Sequence, residues 1–323
     1  MSDQPLITEA DLTPAVTAGA SDTAWLQAMD AIAEDDGYLE PLGKKHWAFF
    51  AEDRTTLLVT FERAEAIRSR PDKLPAAYAM CKERGWSLLT VIAEGETWWR
   101  DRAVWGYFDR LVDDAFFDDF DKVLFMGAGP AGHAACAYAV TAPGCSVLAI
   151  APRATQDPQI VGWDKRDLAA RRMDFTSRYG YAPDMTEGAG RVWLLHDPLN
   201  ALDAMHAALF RAPWVTALKA PHTRDATERA LSGMQILEKI IEEAMAGSLT
   251  EASFAKLWRA RRDSSPWLRG LLAHVAAQDR PKFEEMICRS VVKRMRAPRF
   301  AARLEQLAAA EIAKAEAPEA EQS

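Results

Sequence analysis

The sequence contains little cysteine, and its cysteines show no pairing pattern. The four cysteines, Cys81, Cys136, Cys145 and Cys288, lie far apart and include no Cys-x-x-Cys spacing. This distribution provides neither the framework of a disulfide-stabilised secreted domain nor the paired thiolates of a zinc site. We therefore expect four free thiols in a buried core and predict no metal site.

Long apolar runs and an excess of positive charge are also absent. No apolar stretch approaches the roughly 20 residues that a bilayer-crossing helix needs, and no basic segment followed by an apolar run opens the sequence. The formal net charge is −8, whereas binding to phosphate backbones needs clustered Lys and Arg. These absences predict a cytoplasmic protein that binds neither membranes nor nucleic acid.

The composition is that of a globular protein with room for a substantial core. Of the 323 residues, 49% are hydrophobic and 27% are charged, which suits one large domain with an appendage. We predict a flexible lead-in over 1–20 and an α/β domain over 21–224. A helical C-terminal region over 225–314 and a disordered Ala/Glu-rich tail over 315–323 follow.

Short apolar runs alternate with amphipathic segments through the middle of the chain. This alternation predicts a doubly wound, mostly parallel sheet covered by helices on both faces. Ligands of such sheets bind at the carboxyl ends of the strands. After about residue 224 only helices are predicted, and we expect them to form a lid or a homo-oligomer surface. The predicted strands are 46–51, 55–61, 87–93, 122–126, 146–150, 192–195 and 215–218.

A glycine-rich segment directly follows one predicted strand and leads into a predicted helix. Gly127, Gly129 and Gly132 satisfy the G-x-G-x-x-G spacing of dinucleotide-binding turns. Arg153, after the next strand, is placed to meet a 2′-phosphate, so one interpretation is an NADP- or FAD-dependent oxidoreductase. Two observations weigh against it. No Asp or Glu follows that strand to bind a ribose, and more than a hundred residues with their own strands precede the motif.

The same segment also fits a modified nucleophile elbow. The elbow motif is G-x-S-x-G, and aligning Gly127 with its first glycine puts Gly129 at the position of the nucleophilic serine. Segments 125–135 and 151–158 resemble a bacterial α/β-hydrolase-like group. Its members usually show G-S-S-M-G-G-Y at the elbow, and some occur among polysaccharide-biosynthesis proteins. The resemblance covers about residues 55–231 and implies an α/β-hydrolase-like fold.

The resemblance also implies an acid after a later strand and a histidine after the last one. His222 is the histidine candidate, and Asp197 and Asp203 are the candidates for the acid. Asn200 is a third candidate for the acid position. Three of these residues have ordinary alternatives, because Asp197 before Pro198 suits the start of a loop, Asp203 suits a helix cap and His222 suits a loop. With Gly129 at the elbow, no hydroxyl is available for covalent acyl transfer.

We therefore expect a catalytically altered α/β-hydrolase-like protein that binds a small molecule or a partner protein and needs no cofactor. Two alternatives stay open. One is a hydrolase of non-serine mechanism that uses His222. The other is the oxidoreductase that would bind NADP or FAD at the glycine-rich turn.

Overall fold

The computed structural model describes residues 22–33 and 37–316. Within these ranges the chain forms one eight-stranded sheet in the order β1-β2-β4-β3-β5-β6-β7-β8. β2 runs antiparallel to both of its neighbours, and all the other strand pairs are parallel. The strands are β1 Gly37–Leu42, β2 His46–Ala51, β3 Thr56–Arg63, β4 Ser87–Ala93, β5 Lys122–Ala128, β6 Ser146–Ile150, β7 Arg191–His196 and β8 Val215–Lys219.

The predicted fold class, a doubly wound and mostly parallel sheet, is confirmed. All seven predicted strands are present, but β1 was not predicted. β1 is an edge strand of sequence Gly-Tyr-Leu-Glu-Pro-Leu, and only Leu42 in it is buried. Because it pairs on one side only, it tolerates Pro41 and carries no continuous apolar run.

Helices cover both faces of the sheet, as the fold class requires. They are α1 Asp22–Ala33, α2 Ala64–Arg68, α3 Tyr78–Arg84, α4 Arg102–Asp113, α5 Pro130–Tyr138, α6 Pro158–Val161, α7 Ala182–Met185, α8 Ala201–Leu209, α9 Thr227–Gly233, α10 Leu237–Met245, α11 Glu251–Leu257, α12 Ser265–Ala276, α13 Pro281–Arg294 and α14 Pro298–Glu316.

Two cores form because successive strand side chains point to opposite faces of the sheet. In β3, Leu57 and Val59 belong to the core under α4 and α5, whereas Leu58 belongs to the core under α1, α3 and α10. All three side chains are fully buried. Burying a side chain of this kind stabilises the fold by about 1.5–3 kcal/mol. Both sheet faces are therefore fixed by the alternation, and with them the positions of the strand ends.

The helices after β8 have two different roles. Ile240 of α10, Phe254 of α11 and Trp258 lie in the second sheet core, so α10 and α11 cover the sheet itself. The next helices, α12 to α14, contribute to a smaller core that contains Leu268, Cys288, Val291 and Phe300. The helical layer of the sheet therefore extends beyond the predicted domain boundary at residue 224.

Some sequence predictions concern ends of the chain that the structure describes little or not at all. The lead-in predicted over 1–20 lies outside the described residues, and so does the predicted tail after residue 316.

The four cysteines are buried and free. Among the described residues, no helix is both long enough and apolar enough to cross a membrane.

Candidate functional site

The predicted site residues follow strands that end at one edge of the sheet. Ala128 of β5 pairs with Ile150 of β6, which is aligned through Leu195 of β7 with Leu218 of β8. This row marks the carboxyl ends of four adjacent parallel strands. Loops that leave parallel strands at this edge form the ligand site in open α/β sheets.

The turn from β5 into α5 is sharp, and Gly129 adopts a positive φ in it. This residue has φ 55° and ψ −119°, and it immediately precedes Pro130, the first residue of α5. Its N–H donates to the carbonyl oxygen of Ile150 at 2.9 Å. Positive φ strains any residue with a side chain. The space around it is open, because a Cβ built on Gly129 meets no atom within 4 Å.

The other two glycines of the motif allow close packing between the strand and the helix. A Cβ on Gly127 would lie 2.2 Å from the carbonyl oxygen of Ala131. A Cβ on Gly132 would lie 3.1 Å from the carbonyl oxygen of Gly127. Contact with the backbone of the same turn thus accounts for both glycines, whatever ligand the turn binds.

Arg153, the predicted 2′-phosphate ligand, lies beside α5. Its guanidinium stacks 5.2 Å from the ring centroid of Trp98, and its carbonyl oxygen lies 3.1 Å from Nδ1 of His133. Because a carbonyl only accepts, Nδ1 of His133 carries the proton. His133 is fully buried, and burial followed by the nearby Arg100 lowers its pKa to about 3. His133 is therefore a neutral residue that ties the loop after β6 to α5.

Asp197 connects the loops after β7 and β8. Its carboxyl group is buried, and its Oδ1 accepts the backbone N–H of Leu199 at 2.9 Å. Its Oδ2 accepts the backbone N–H of Arg224 at 2.7 Å. Both oxygens are thus bound by backbone N–H groups. Within the described residues, no hydrogen bond joins Asp197 to a histidine.

Asp203 belongs to a different network. Nη1 of Arg166 donates to its Oδ1 at 2.6 Å, and Nδ2 of Asn200 donates to its Oδ2 at 2.9 Å. Asn200 is also the N-cap of α8, since its side chain accepts the backbone N–H of Asp203. The cap of α8 is therefore Asn200 and not Asp203, which lies in the first turn of the helix and binds the side chain of the cap.

Arg166 extends this network to a buried histidine. Its guanidinium also donates to Asp164, whose Oδ2 lies 2.8 Å from Nε2 of the fully buried His206. The backbone N–H of Ala154 donates to Nδ1 of His206 at 3.2 Å, so Nε2 carries the proton that Asp164 accepts. Burial alone would raise the pKa of Asp164, but these hydrogen bonds hold it well below its ordinary value.

His222 lies between the sheet edge and α12. Its ring centroid is 5.9 Å from that of Trp267 and 5.0 Å from that of His274. The indole of Trp267 donates to the carbonyl oxygen of Pro221 at 3.0 Å, which fixes α12 against this loop. Burial, followed by the charge of His274, lowers the pKa of His222. Its ring makes no hydrogen bond to any residue that the structure describes.

A cavity of about 180 Å³ contains His222 and two of the three acid-position candidates. It is lined by Asp197, Leu199, Asn200, His222, Arg224 and His274. Gly129 and Asp203 are not among these residues. A larger cavity of about 560 Å³ lies at the opposite edge of the sheet, beside Lys122 and Ser146 at the beginnings of β5 and β6, and contains none of the predicted residues.

Three residues of the smaller cavity were not predicted: Leu199, Arg224 and His274. Arg224 and His274 carry no motif, and His274 lies on α12, about 50 residues after His222 in the sequence. Only the packing of α12 on the loop after β8 brings the two histidines together. No local sequence pattern could have shown this pair. Among the described residues, no cluster of three His, Cys, Asp or Glu side chains is arranged to hold a metal ion.

Comparison with known proteins gives similarity of structure only. No family model and no curated protein matches the sequence. The acetyl ester-xyloside bifunctional hydrolase of Caldicellulosiruptor lactoaceticus is 13% identical over 67% of this chain and 98% of that chain, with a TM-score of 0.44. The esterase domain of a Rhodothermus marinus protein is 14% identical over 66% of this chain and 92% of that chain, with a TM-score of 0.38.

A third structure of this kind is the capsule O-acetyltransferase of Neisseria meningitidis serogroup A. It is 10% identical over 62% of this chain and 94% of that chain, with a TM-score of 0.42. Similarity at these identities and TM-scores supports no conclusion about the activity of this chain. The reactions named for these proteins therefore stay with those proteins.

Proposed function

We propose that this chain, whose eight-stranded, mostly parallel sheet we assign to the α/β-hydrolase-like class, binds a small molecule or a partner protein and does not hydrolyse esters through a covalent intermediate. The observation that carries the proposal is Gly129, whose φ of 55° and ψ of −119° are compatible with the sharp strand-to-helix turn that a nucleophile elbow requires. Glycine has no side chain, so nothing on this turn can attack a carbonyl carbon.

The residue after Gly129 supports the same proposal. In α/β-hydrolases, the backbone N–H of the residue after the nucleophile stabilises the developing oxyanion. Here that residue is Pro130, at the first position of α5, and proline has no N–H to donate. Loss of one oxyanion donor costs about 3–4 kcal/mol of transition-state stabilisation. The turn therefore lacks an electrostatic component of catalysis as well as the nucleophile.

The hydrogen bonds of the histidine and acid candidates also support the proposal. A catalytic histidine needs a carboxylate that orients its ring through a hydrogen bond. Both oxygens of Asp197 accept backbone N–H groups, and both oxygens of Asp203 accept from Arg166 and Asn200. These contacts support a role for the two acids in holding loops and α8, with His222 left free to meet a ligand.

The cavity around His222 is the basis for the binding role. It is open at the carboxyl ends of the strands, where ligands of open α/β sheets bind. No dinucleotide is required by this proposal. The packing of Gly127 and Gly132 against backbone accounts for two glycines of the motif that suggested NADP or FAD. The stacking of Arg153 on Trp98 accounts for the arginine without a 2′-phosphate.

Ester turnover tests the proposal against its two alternatives. Purified wild-type protein should hydrolyse p-nitrophenyl acetate no faster than the variant His222→Asn. Asparagine is chosen because it tolerates the positive φ of 66° at this position. A wild-type rate about tenfold or more above that of the variant would favour the non-serine hydrolase, because general-base catalysis contributes about 100-fold or more. A stoichiometric nucleotide or flavin released by denaturation would favour the oxidoreductase.

A further inference from the structure

We infer that the cavity between the loop after β8 and helix α12 binds a small oxyanion, the carboxylate or phosphate group of a metabolite. This inference rests on the binding role proposed above and names the chemistry of the ligand. The cavity of about 180 Å³ has room for such a group and not for a large cofactor.

The charged groups of the cavity favour an anion over a cation. Three groups that carry or can accept positive charge line it: the guanidinium of Arg224 and the imidazoles of His222 and His274. The one carboxylate, Asp197, already accepts two backbone N–H groups, at 2.9 and 2.7 Å. Its remaining capacity to bind a cation is small, and its charge is offset by those N–H dipoles.

The positive groups are available to a ligand. Among the described residues, the guanidinium of Arg224 makes no ion pair or hydrogen bond, although its backbone N–H is bound by Asp197. A guanidinium presents two parallel N–H donors to a carboxylate or phosphate. The ring of His222 also has no hydrogen-bond partner within the part of the chain that the structure describes, so both groups can donate to an oxyanion without breaking a contact.

The two imidazoles make binding depend on pH. Nε2 of His274 lies 2.9 Å from Nε2 of Gln278, and its ring faces His222 at a centroid distance of 5.0 Å. Burial and His274 both oppose protonation of His222, while Asp197 favours it and Arg224 opposes it. An anion between the rings would stabilise the imidazolium form. Binding should therefore be stronger on the acid side of neutrality.

The backbone holds these side chains in place at some cost. His222 and Arg224 have φ values of 66° and 57°, in the left-handed region that residues with side chains rarely adopt. Strained residues of this kind cluster where a site needs a fixed arrangement. Hydrogen bonds from Arg224 to Asp197 and from Trp267 to Pro221 fix the loop on both sides.

Calorimetric titration of the full-length protein with sulfate and with acetate tests the inference. The charge of both probes is constant between about pH 6 and about pH 8, so any change in affinity reports on the histidines. We expect binding that is about fivefold tighter at the lower pH. Arg224→Gln should weaken binding about tenfold at both pH values, because it removes a charge-assisted contact. Arg224→Lys should restore only part of the affinity, because an ammonium keeps the charge but lacks the two parallel N–H donors.

Variants of the two histidines separate the contribution of protonation to anion binding from the contribution of the fixed charge of Arg224. His222→Asn keeps a residue that accepts positive φ, and it should remove the pH dependence while leaving the weaker binding to Arg224. His274→Gln should reduce the pH dependence without disturbing the strained loop. The matched control is Arg229→Gln, an exposed arginine on α9, which should bind sulfate as wild type does. Thermal melts confirm that each variant is folded.

Absence of sulfate and acetate binding at both pH values would overturn the inference, and so would binding that Arg224→Gln leaves unchanged. Binding with no dependence on pH or on His222 would overturn the role of the histidine pair. Neither result bears on whether Gly129 prevents covalent hydrolysis, because ester turnover measures that separately. A protein that binds no oxyanion and hydrolyses no ester would leave the proposed function standing and remove only this inference.

Discussion

The glycines of the turn between β5 and α5 are needed for different reasons at the scale of single residues. Gly127 is packed against backbone, because a Cβ there would lie 2.2 Å from the carbonyl oxygen of Ala131. A Cβ on Gly129 would have open space and only the strain of φ 55°. The first glycine therefore shapes the turn, and the second stands where a side chain could point into the site. Two substitution experiments follow from this difference.

Alanine at these positions should affect stability unequally. Gly127→Ala forces the helix away from the strand, and we expect a loss of about 3 kcal/mol or more in the free energy of unfolding. Gly129→Ala adds only the cost of positive φ, about 1 kcal/mol. Urea unfolding of both variants measures the difference. Equal losses at the two positions would contradict the geometry of the turn.

Serine at position 129 tests which parts of a catalytic site remain. Gly129→Ser should react slowly with a fluorophosphonate probe, because Pro130 gives no N–H to the oxyanion. Gly129→Ser combined with Pro130→Ala restores that donor and should react about 100-fold faster. Gel-based labelling rates provide the comparison. If the double variant reacts no faster than the single one, the missing N–H of Pro130 is not what limits the site.

At the scale of secondary structure elements, α5 is tied to the loop after β6 through His133. The folded-state pKa of this fully buried histidine is about 3, below its ordinary value of 6.5. Since the unfolded chain then binds more protons, the stabilising effect is complete above pH 6.5 and is lost as the pH falls toward 3. His46, with a pKa lowered to about 4, acts in the same direction.

Replacing His133 should flatten this acid dependence. We expect His133→Gln, which keeps an N–H for the carbonyl of Arg153, to reduce the loss of stability between about pH 7 and about pH 5 by on the order of 2 kcal/mol. Urea unfolding at the two pH values measures it. His274→Gln makes the same chemical change on the partly exposed surface of α12 and serves as the control. An unchanged acid dependence in His133→Gln would show that this histidine is not held neutral.

Sequence reasoning succeeded for elements whose signal is local. β2, β4 and β6 have the predicted bounds, because a short continuous apolar run bounded by turn residues is typical of a strand buried inside a sheet. β1 was missed because an edge strand needs no such run. The glycine-rich turn was found from its spacing, but the cavity was not, because His274 reaches it only through the packing of α12. Similarly, nothing in the sequence around Asp203 indicates that Arg166 binds it.

At the scale of the whole molecule, the structure divides the helices after β8 into a part that completes the sheet and a part that extends it. Leu249, Phe254 and Trp258 are buried in the sheet core, while α13 and α14 pack on α12 around Leu268. The lid or oligomer surface predicted from the sequence stays a prediction, and α12, α13 and α14 are the helices left to form it.

Two truncations distinguish these parts. A chain that ends after residue 248 loses all three core residues, and since removal of one large core side chain costs about 3–5 kcal/mol, we expect it to be insoluble. A chain that ends after residue 280 keeps them and should stay soluble, with a melting temperature within a few degrees of the full chain. Comparable solubility of both chains would contradict this division. If light scattering shows that the longer of the two truncated chains forms particles with fewer chains than the full-length protein does, α13 and α14 have a role in self-association.

The proposed absence of a covalent nucleophile is tested most directly by the intact mass of wild-type protein after incubation with excess fluorophosphonate. We expect an unchanged mass, because Gly129 offers no hydroxyl on the turn after β5 and His222 then has none to activate. A stoichiometric adduct, mapped by peptide mass spectrometry to any residue at the carboxyl edge of the sheet, would contradict it.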